Sequence, residues 1–206
     1  SIIDSILWLS RLENGIQKLV RENVSTASLL ESLKADFSYA PQQEGMQSLG
    51  ERLILPHELD SSEATNAEND TEAPLPTIAT DPVLLNLVLE NLIRNGFQYG
   101  PDDGKVYVTS EIAGTELVLR IKDEGPGVEE SKLEQMFVPF YRADPSRHHG
   151  AGVGLGLALS QRATAVLGGT IEARNHPEGG LEVSISLPLD AEPTDSDDTR
   201  TGATDT

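Results

Sequence analysis

The chain of 206 residues contains no cysteine, which excludes disulfides, zinc–thiolate centres and thiol catalysis. Positive charge is scarce: 15 Lys and Arg stand against 34 Asp and Glu, a formal net charge of −19. A nucleic-acid-binding surface needs a basic footprint to displace counterions from phosphates, and none is present, so no nucleic-acid partner is expected. Long apolar runs are missing as well; none approaches the ~18 residues that cross a bilayer. What remains is ordinary core material. The apolar set is 37%, and the 18 glycines bring the share close to the usual globular figure of ~45–50%, which rules out wholesale disorder. The length suits one domain with appendages.

Much of the acidity is local. Residues 58–73 hold six acids and no base, and residues 190–206 hold six acids against Arg200 alone, so the two stretches carry eleven of the nineteen negative charges. Both are rich in Ser, Thr, Asn and Ala, the composition of a solvated loop and a disordered tail. The chain opens at Ser1 inside a helical apolar pattern, which points to a piece of a longer protein.

Ile2, Ile6, Leu9 and Leu12 share one helical face, widened by Ile3, Leu7 and Trp8. So much apolar surface on a short helix needs a partner. Either it is half of a cut helical hairpin, the reading favoured here, or it docks on its own domain. Ser28 and Glu31 have capping-box spacing for a helix towards Tyr39, with Pro41 stopping it. Arg52–Leu55 reads as a short strand ended by Pro56, and Pro76–Ala79 as an edge strand. Asp81 caps a long helix with Pro82 at its first position, running to about Tyr99. Val106–Ile112 and Glu116–Ile121 alternate as hairpin strands; a helix from about Leu155 to Leu167 precedes a last strand pair, Thr170–Ala173 and Leu181–Leu187. The expected fold is α+β, a two-layer α/β sandwich in which a mixed, mostly antiparallel sheet packs on helices, preceded by a helical fragment.

Leu85, Leu89, Leu92 and Gly96 line one face of the Asp81 helix and should pack on the sheet, whereas Asn91, Asn95 and Gln98 form another face. Carboxamides beside an apolar wall need partners, and a carboxamide oxygen is a hard ligand suited to Mg²⁺; the alternative is a polar face in water. Asp123-Glu124-Gly125-Pro126-Gly127 directly follows a strand. A carboxylate there can accept from the exocyclic amine of a purine, with Gly125 and Gly127 letting the backbone turn beside a flat ring; otherwise the segment is a plain β-turn. Gly150, Gly152, Gly154 and Gly156 alternate into an amphipathic helix, where free N–H groups and the helix dipole cradle phosphate, unless the stretch is a linker. Neither GxxxxGK[ST] nor GxGxxG occurs. Between the glycine segments, Met136–Arg142 holds half of the four phenylalanines, as an aromatic hinge for a mobile lid or as ordinary core. Arg142, Arg147, His148 and His149 are phosphate partners or exposed loop cations.

In this order the four segments resemble the boxes of the ATP-binding domain of bacterial sensor histidine kinases, within the gyrase, chaperone, histidine-kinase and mismatch-repair ATPase superfamily. Glu90-Asn91-Leu92-Ile93-Arg94-Asn95 resembles the asparagine box, Asp123-x-Gly125-x-Gly127 the first glycine box, Phe137–Arg142 the phenylalanine box, and Gly152-x-Gly154-Leu155-Gly156-Leu157 the second glycine box. The resemblance covers about Gly45 to Leu189 and implies a Bergerat-type ATP-binding fold. It divides the chain into a remnant of the dimerisation and phosphoacceptor hairpin (1–15), a connecting strand and first helix of the catalytic domain (16–44), the ATP-binding domain (45–189) with its acidic loop, and the tail.

The resemblance further implies a protein-histidine kinase that uses ATP and Mg²⁺ to phosphorylate a histidine on an upstream helix, for relay to a response-regulator aspartate. It implies a homodimer through the hairpin, and the cytoplasmic part of an inner-membrane protein. Asn95 would bind Mg²⁺ and Asn91 would assist at the phosphates. Asp123 would recognise adenine with Gly125 and Gly127 shaping the base pocket, and Tyr99 would line the cleft. Gly152, Val153, Gly154, Leu155, Gly156 and Leu157 would carry a lid over the triphosphate. Gln98 stands where many relatives have a phosphate-binding Lys, so weaker affinity, or substitution by Arg142 or Arg147, is expected. Gly96 replaces the usual Ala, a helix cost of ~1 kcal/mol. None of His57, His148, His149 or His176 has the context of a phosphoacceptor, so the piece alone is not expected to phosphorylate itself. Relatives that hydrolyse ATP place a Glu one turn before the Mg²⁺ Asn; here that position is Asn91 and Glu90 is one residue off, so negligible ATPase activity is expected. The alternatives are an ATP-gated clamp or chaperone, a serine kinase acting on an anti-anti-sigma partner, and a degenerate nucleotide-binding module.

Overall fold

The computed structural model describes residues 2–15, 18–39, 47–59, 75–142 and 153–190. Their elements run α1 (Ile2–Glu13), β1 (Glu22–Ser25), α2 (Thr26–Ser38), α3 (Leu49–Arg52), β2 (Leu53–Ile54), α4 (Pro56–Leu59), β3 (Thr77–Thr80), α5 (Pro82–Tyr99), β4 (Val106–Ala113) and β5 (Glu116–Asp123). Two 3-10 turns (Glu130–Lys132 and Glu134–Phe137), α6 (Gly156–Val166), β6 (Thr170–Asn175) and β7 (Leu181–Pro188) follow. Arg147, His148, His149 and Gly152, most of the acidic loop, and the tail from residue 191 lie outside the described residues.

The main sheet has the order β2-β4-β5-β7-β6. Only β2 and β4 pair in parallel; the other neighbours are antiparallel, β4–β5 and β6–β7 as hairpins and β5–β7 across the connection through α6 and β6. A separate ribbon joins β1 to β3. Strand alternation sends Val106, Val108, Leu117, Leu119, Ile121, Val183, Ile185 and Leu187 to one face, where all are buried. Leu85, Leu89 and Leu92 of α5 and Leu159 and Ala163 of α6 cover that face, giving the expected two-layer α+β sandwich. Burying each such leucine stabilises the fold by about 1.5–3 kcal/mol.

The Asp81 helix starts as its sequence signals. The Asp81 carboxylate accepts from the N–H groups of Val83 and Leu84, and its other oxygen accepts from Val20 N–H at 3.1 Å, tying the linker after α1 to the helix start. The register pairs Val106 with Asp123, so Asp123 points towards the helices at the very end of β5. Gly96 belongs to this contact: a Cβ there would lie 2.8 Å from Val106 Cγ2, so glycine lets α5 settle on the sheet and the helix-propensity cost is offset by close packing.

Three local expectations are corrected. The cap of α2 is Ser25, whose hydroxyl accepts from Ser28 N–H at 3.3 Å, because the β1–β3 ribbon turns the chain into the helix three residues before Ser28. The capping box belongs to Ser48 and Glu51, which start α3. Arg52 therefore closes a helical turn, and only Leu53–Ile54 is strand. Arg52 is buried, with its guanidinium over the Phe97 ring and donating to the Asp102 carbonyl. Helix α1 lies against α6, with Leu12 buried, Trp8 and Leu9 packed on the core and Glu13 paired with Arg162; Ile3, Ile6 and Leu7 remain exposed.

Candidate functional site

One face of α5 is spent on the core, and the next face round opens on a cleft of about 840 Å³. Asn91, Asn95, Gln98 and Tyr99 line it from α5. Asp123 lines it from the end of β5 and Gly127 from the loop that follows, Arg142 from the end of the phenylalanine segment, and Val153, Gly154, Leu155, Gly156 and Leu157 from the start of α6. Gly125 stands behind the wall, its N–H donating to Asp123 Oδ1 at 2.8 Å, and a side chain there would meet the Tyr99 carbonyl at 2.8 Å. Residues far apart in sequence thus converge on one cavity.

Its polar groups are left wanting partners. Asn91 Nδ2, Gln98 Nε2 and Arg142 Nε are buried donors without a hydrogen bond among the described residues. A buried donor without a partner costs about 1–3 kcal/mol, so three around one cavity suit a ligand rich in acceptors. The cations of the cleft divide in the same sense: Arg94 is held by Glu90 at 2.6 Å and Lys132 by Glu129 at 2.9 Å, whereas Arg142 has no ion pair among the described residues. The first turn of α6 has no side-chain cap, and Gly156 brings its backbone beside both carboxamides; a Cβ there would lie 3.6–3.7 Å from Asn95 and Asn91.

Phe140 and Gly154, on either side of residues 143–152, meet through their backbones. Phe140 N–H donates to the Gly154 carbonyl at 2.8 Å. Gly154 has φ +77°, and a Cβ there would come within 2.6 Å of the Tyr141 carbonyl, so glycine is required. Phe140 itself adopts φ 67° and is 62% exposed, so this phenylalanine is not ordinary core.

Asp123 is 5% exposed. Its Oδ1 accepts from Gly125 N–H at 2.8 Å and Leu181 N–H at 3.1 Å, leaving Oδ2 without a partner among the described residues. Burial pushes its carboxyl above the ordinary value, and the two N–H groups pull it partway back. Next to it, Glu124 is held at both oxygens by Lys105 N–H (2.9 Å) and the Tyr107 hydroxyl (2.8 Å). Burial and the bond to Glu124 push that hydroxyl up to about 12.

Sequence reasoning did not anticipate several lining residues. Leu87 extends the α5 wall by helical spacing, together with Glu90 and Arg94 of the asparagine box, to which sequence reasoning assigned no binding role. Glu129, Lys132, Met136 and Tyr141 line the opposite rim, and Asp4, Ser5 and Trp8 enter from α1. No local pattern places α1 beside the cleft; only the tertiary docking does.

A cleft with these features on a sandwich of this topology defines a nucleotide-binding α+β domain. The chain belongs to the histidine kinase-, DNA gyrase B- and HSP90-like ATPase family, whose profile matches residues 80–191. It is 39% identical over 118 residues to the signal transduction histidine-protein kinase AfsQ2 of Streptomyces coelicolor, a match covering 57% of this chain and 22% of that protein. It is 30% identical over 194 residues to the sensor histidine kinase CpxA of Escherichia coli K12, covering 88% of this chain and 42% of that one. The chain therefore spans well under half of these relatives. Its fold matches full-length ShkA in complex with AMPPNP at a TM-score of 0.72 and 23% identity, over 93% of this chain and 36% of that one. The family is thus this ATPase family, and the fold is one shared with a sensor histidine kinase structure.

Proposed function

We propose that the chain is the ATP-binding catalytic part of a sensor histidine kinase, which transfers the γ-phosphoryl group of ATP to a histidine on another helix for relay to a response-regulator aspartate. The observation that carries this reading is the convergence of the α5 carboxamides, Asp123 and the α6 start on one cleft. The free Oδ2 of Asp123 accepts the exocyclic amine of adenine. Gln98, Arg142 and the first-turn N–H groups of α6 donate to the polyphosphate. Catalysis is then positioning: the nucleotide is held so that an imidazole nitrogen forms a bond to the γ-phosphorus in line as the bond to the bridging oxygen breaks.

The donor set also fits Mg²⁺. Among the described residues no group of three or more His, Asp or Glu gathers that could hold a metal, while Asn95 and Asn91 offer carboxamide oxygens beside the phosphate-binding helix start. That arrangement suits an ion that keeps waters and leans on phosphate oxygens, with Asn95 as its protein ligand. Bound there, Mg²⁺ neutralises phosphate charge.

Helix α1 is read as the end of the dimerisation hairpin, in a homodimer whose catalytic part faces the cytoplasm below an inner membrane. Its exposed Ile3, Ile6 and Leu7 support a helical partner. Titration with a non-hydrolysable ATP analogue and Mg²⁺ tests the site in the wild type, Asn95→Ala and Asp123→Ala. Both substitutions weaken binding about tenfold or more on this reading; unchanged affinity in both retires it.

A further inference from the structure

The loop that follows Asp123 and carries Gly127 has no ladder of its own. Its near end is gripped by Leu181, whose N–H donates to Asp123 Oδ1. Its far end is gripped by Asn175, the last residue of β6, 47 residues away in sequence. The Asn175 carboxamide meets the Val128 peptide in both directions: Val128 N–H donates to Oδ1 at 2.8 Å, and Nδ2 donates to the Val128 carbonyl at 2.7 Å. The second Nδ2 hydrogen reaches Glu130 Oε2 at 3.2 Å. The side chain thus stands in for a neighbouring strand, satisfying a segment without one.

Asn175 and Leu181 are cross-strand partners in the β6–β7 register, where the chain turns through 176–180. One residue pair at the end of one hairpin therefore holds both ends of the loop. The same contact dictates Gly127, which has φ +72°; a Cβ there would lie 2.6 Å from Asn175 Oδ1. Gly180 completes the fit, since a Cβ on it would strike the Asp123 carbonyl at 1.9 Å.

We infer that Asn175 is a positioning residue for base recognition, setting the loop so that Asp123 and Gly127 present themselves to the purine. This rests on the reading that the Asp123 loop receives adenine. Among the described residues the Asn175 side chain hydrogen-bonds Val128 and Glu130 and no residue of α5 or α6, so removing it should loosen the base end of the site and leave the phosphate end intact. That separates it from a residue that merely stabilises the fold.

The test measures affinity of the chain with Mg²⁺ for ATP, GTP and inorganic tripolyphosphate in four proteins: wild type, Asn175→Leu, Asp123→Ala and Ile171→Ala, the last a core-packing variant of the same strand. Asn175→Leu is expected to weaken ATP about tenfold, to narrow the ATP-over-GTP preference by a similar factor, and to leave tripolyphosphate affinity within about twofold. Ile171→Ala should lower the melting temperature without moving the preference. If Asn175→Leu does not fold, Asn175→Ser, too short to reach both Val128 groups, is expected to narrow the preference in the same direction. An unchanged ATP-over-GTP preference in the Asn175 variant, or equal losses for ATP and tripolyphosphate, overturns the inference while Asp123→Ala still abolishes the preference. A preference indifferent to Asp123→Ala removes the underlying site reading, and the inference with it.

Discussion

Replacing Asp123 with Asn separates recognition from stability within a single side chain. An asparagine fits the same space, and its Oδ1 still accepts from Gly125 and Leu181 N–H. What changes is the atom facing the cleft: an acceptor becomes an NH₂ donor opposed to the amine of adenine. The loss is a hydrogen bond to a charged group, about 1.5–3 kcal/mol, or roughly 10- to 150-fold in affinity. Stability moves the other way. Burial raises the folded pKa of Asp123 above its unfolded value, so its contribution is present below the unfolded pKa and lost as pH rises through the folded one. At neutral pH the ionised carboxylate is a cost that Asn removes, and the nucleotide-free variant should melt no lower than wild type. Calorimetric titration with an ATP analogue at pH 7, with melting curves in its absence, gives both numbers. In wild type the affinity should also fall on acidification through the Asp123 pKa, which burial raises above its ordinary value, and in the variant this limb should vanish. Binding by Asp123→Asn within about threefold of wild type would refute the reasoning, since a hydrogen bond of this class is worth more.

Arg142→Met should weaken ATP about tenfold, whereas Arg94→Met, whose guanidinium is already engaged by Glu90, should stay within about threefold; titration of both variants checks the contrast. Gly156→Ala places a methyl between the carboxamides and the α6 start at ordinary contact distance, so nucleotide affinity should fall while the melting temperature holds or rises, the helix gaining up to about 1 kcal/mol. Because the Tyr107 hydroxyl is raised from 10.0 to about 12, its bond to Glu124 should stabilise the fold fully below pH 10 and lose that effect as pH rises to about 12; Tyr107→Phe should flatten this alkaline limb in chemical denaturation. Phosphate release from ATP should be negligible in wild type and unaltered in Glu90→Gln, because Glu90 is engaged by Arg94; rapid turnover abolished by the substitution contradicts this.

The sandwich was readable where local signals and tertiary packing agree. Asp81-Pro82 starts α5 at the expected residue, and the alternation in β4, β5 and β7 marks the buried face directly. Signals that fit two places were not decided locally. Ser28-x-x-Glu31 and Ser48-x-x-Glu51 both have the spacing of a capping box, but the chain uses only the second, because pairing of β1 with β3 starts α2 at Ser25. In the site, box residues announced themselves as carboxamides, carboxylate and glycines in unusual spacings. Asn175 did not, because a lone asparagine at a strand end looks like any turn residue until Val128 is seen opposite it. Gly96 read as a weakness in a helix and proves to be the point where α5 touches Val106. Docking of α1 beside the cleft depends on α6, which no pattern within α1 could reveal.

The most direct measurement is a backbone and side-chain amide NMR titration of the chain with an ATP analogue and Mg²⁺. The account predicts that the side-chain amides of Asn91, Asn95 and Gln98, the Gly127 amide and the amides of Val153–Leu157 shift together, on one binding isotherm. Shifts confined to one of these elements, or appearing on the outer face of the sheet instead, would contradict a single nucleotide site built from all three.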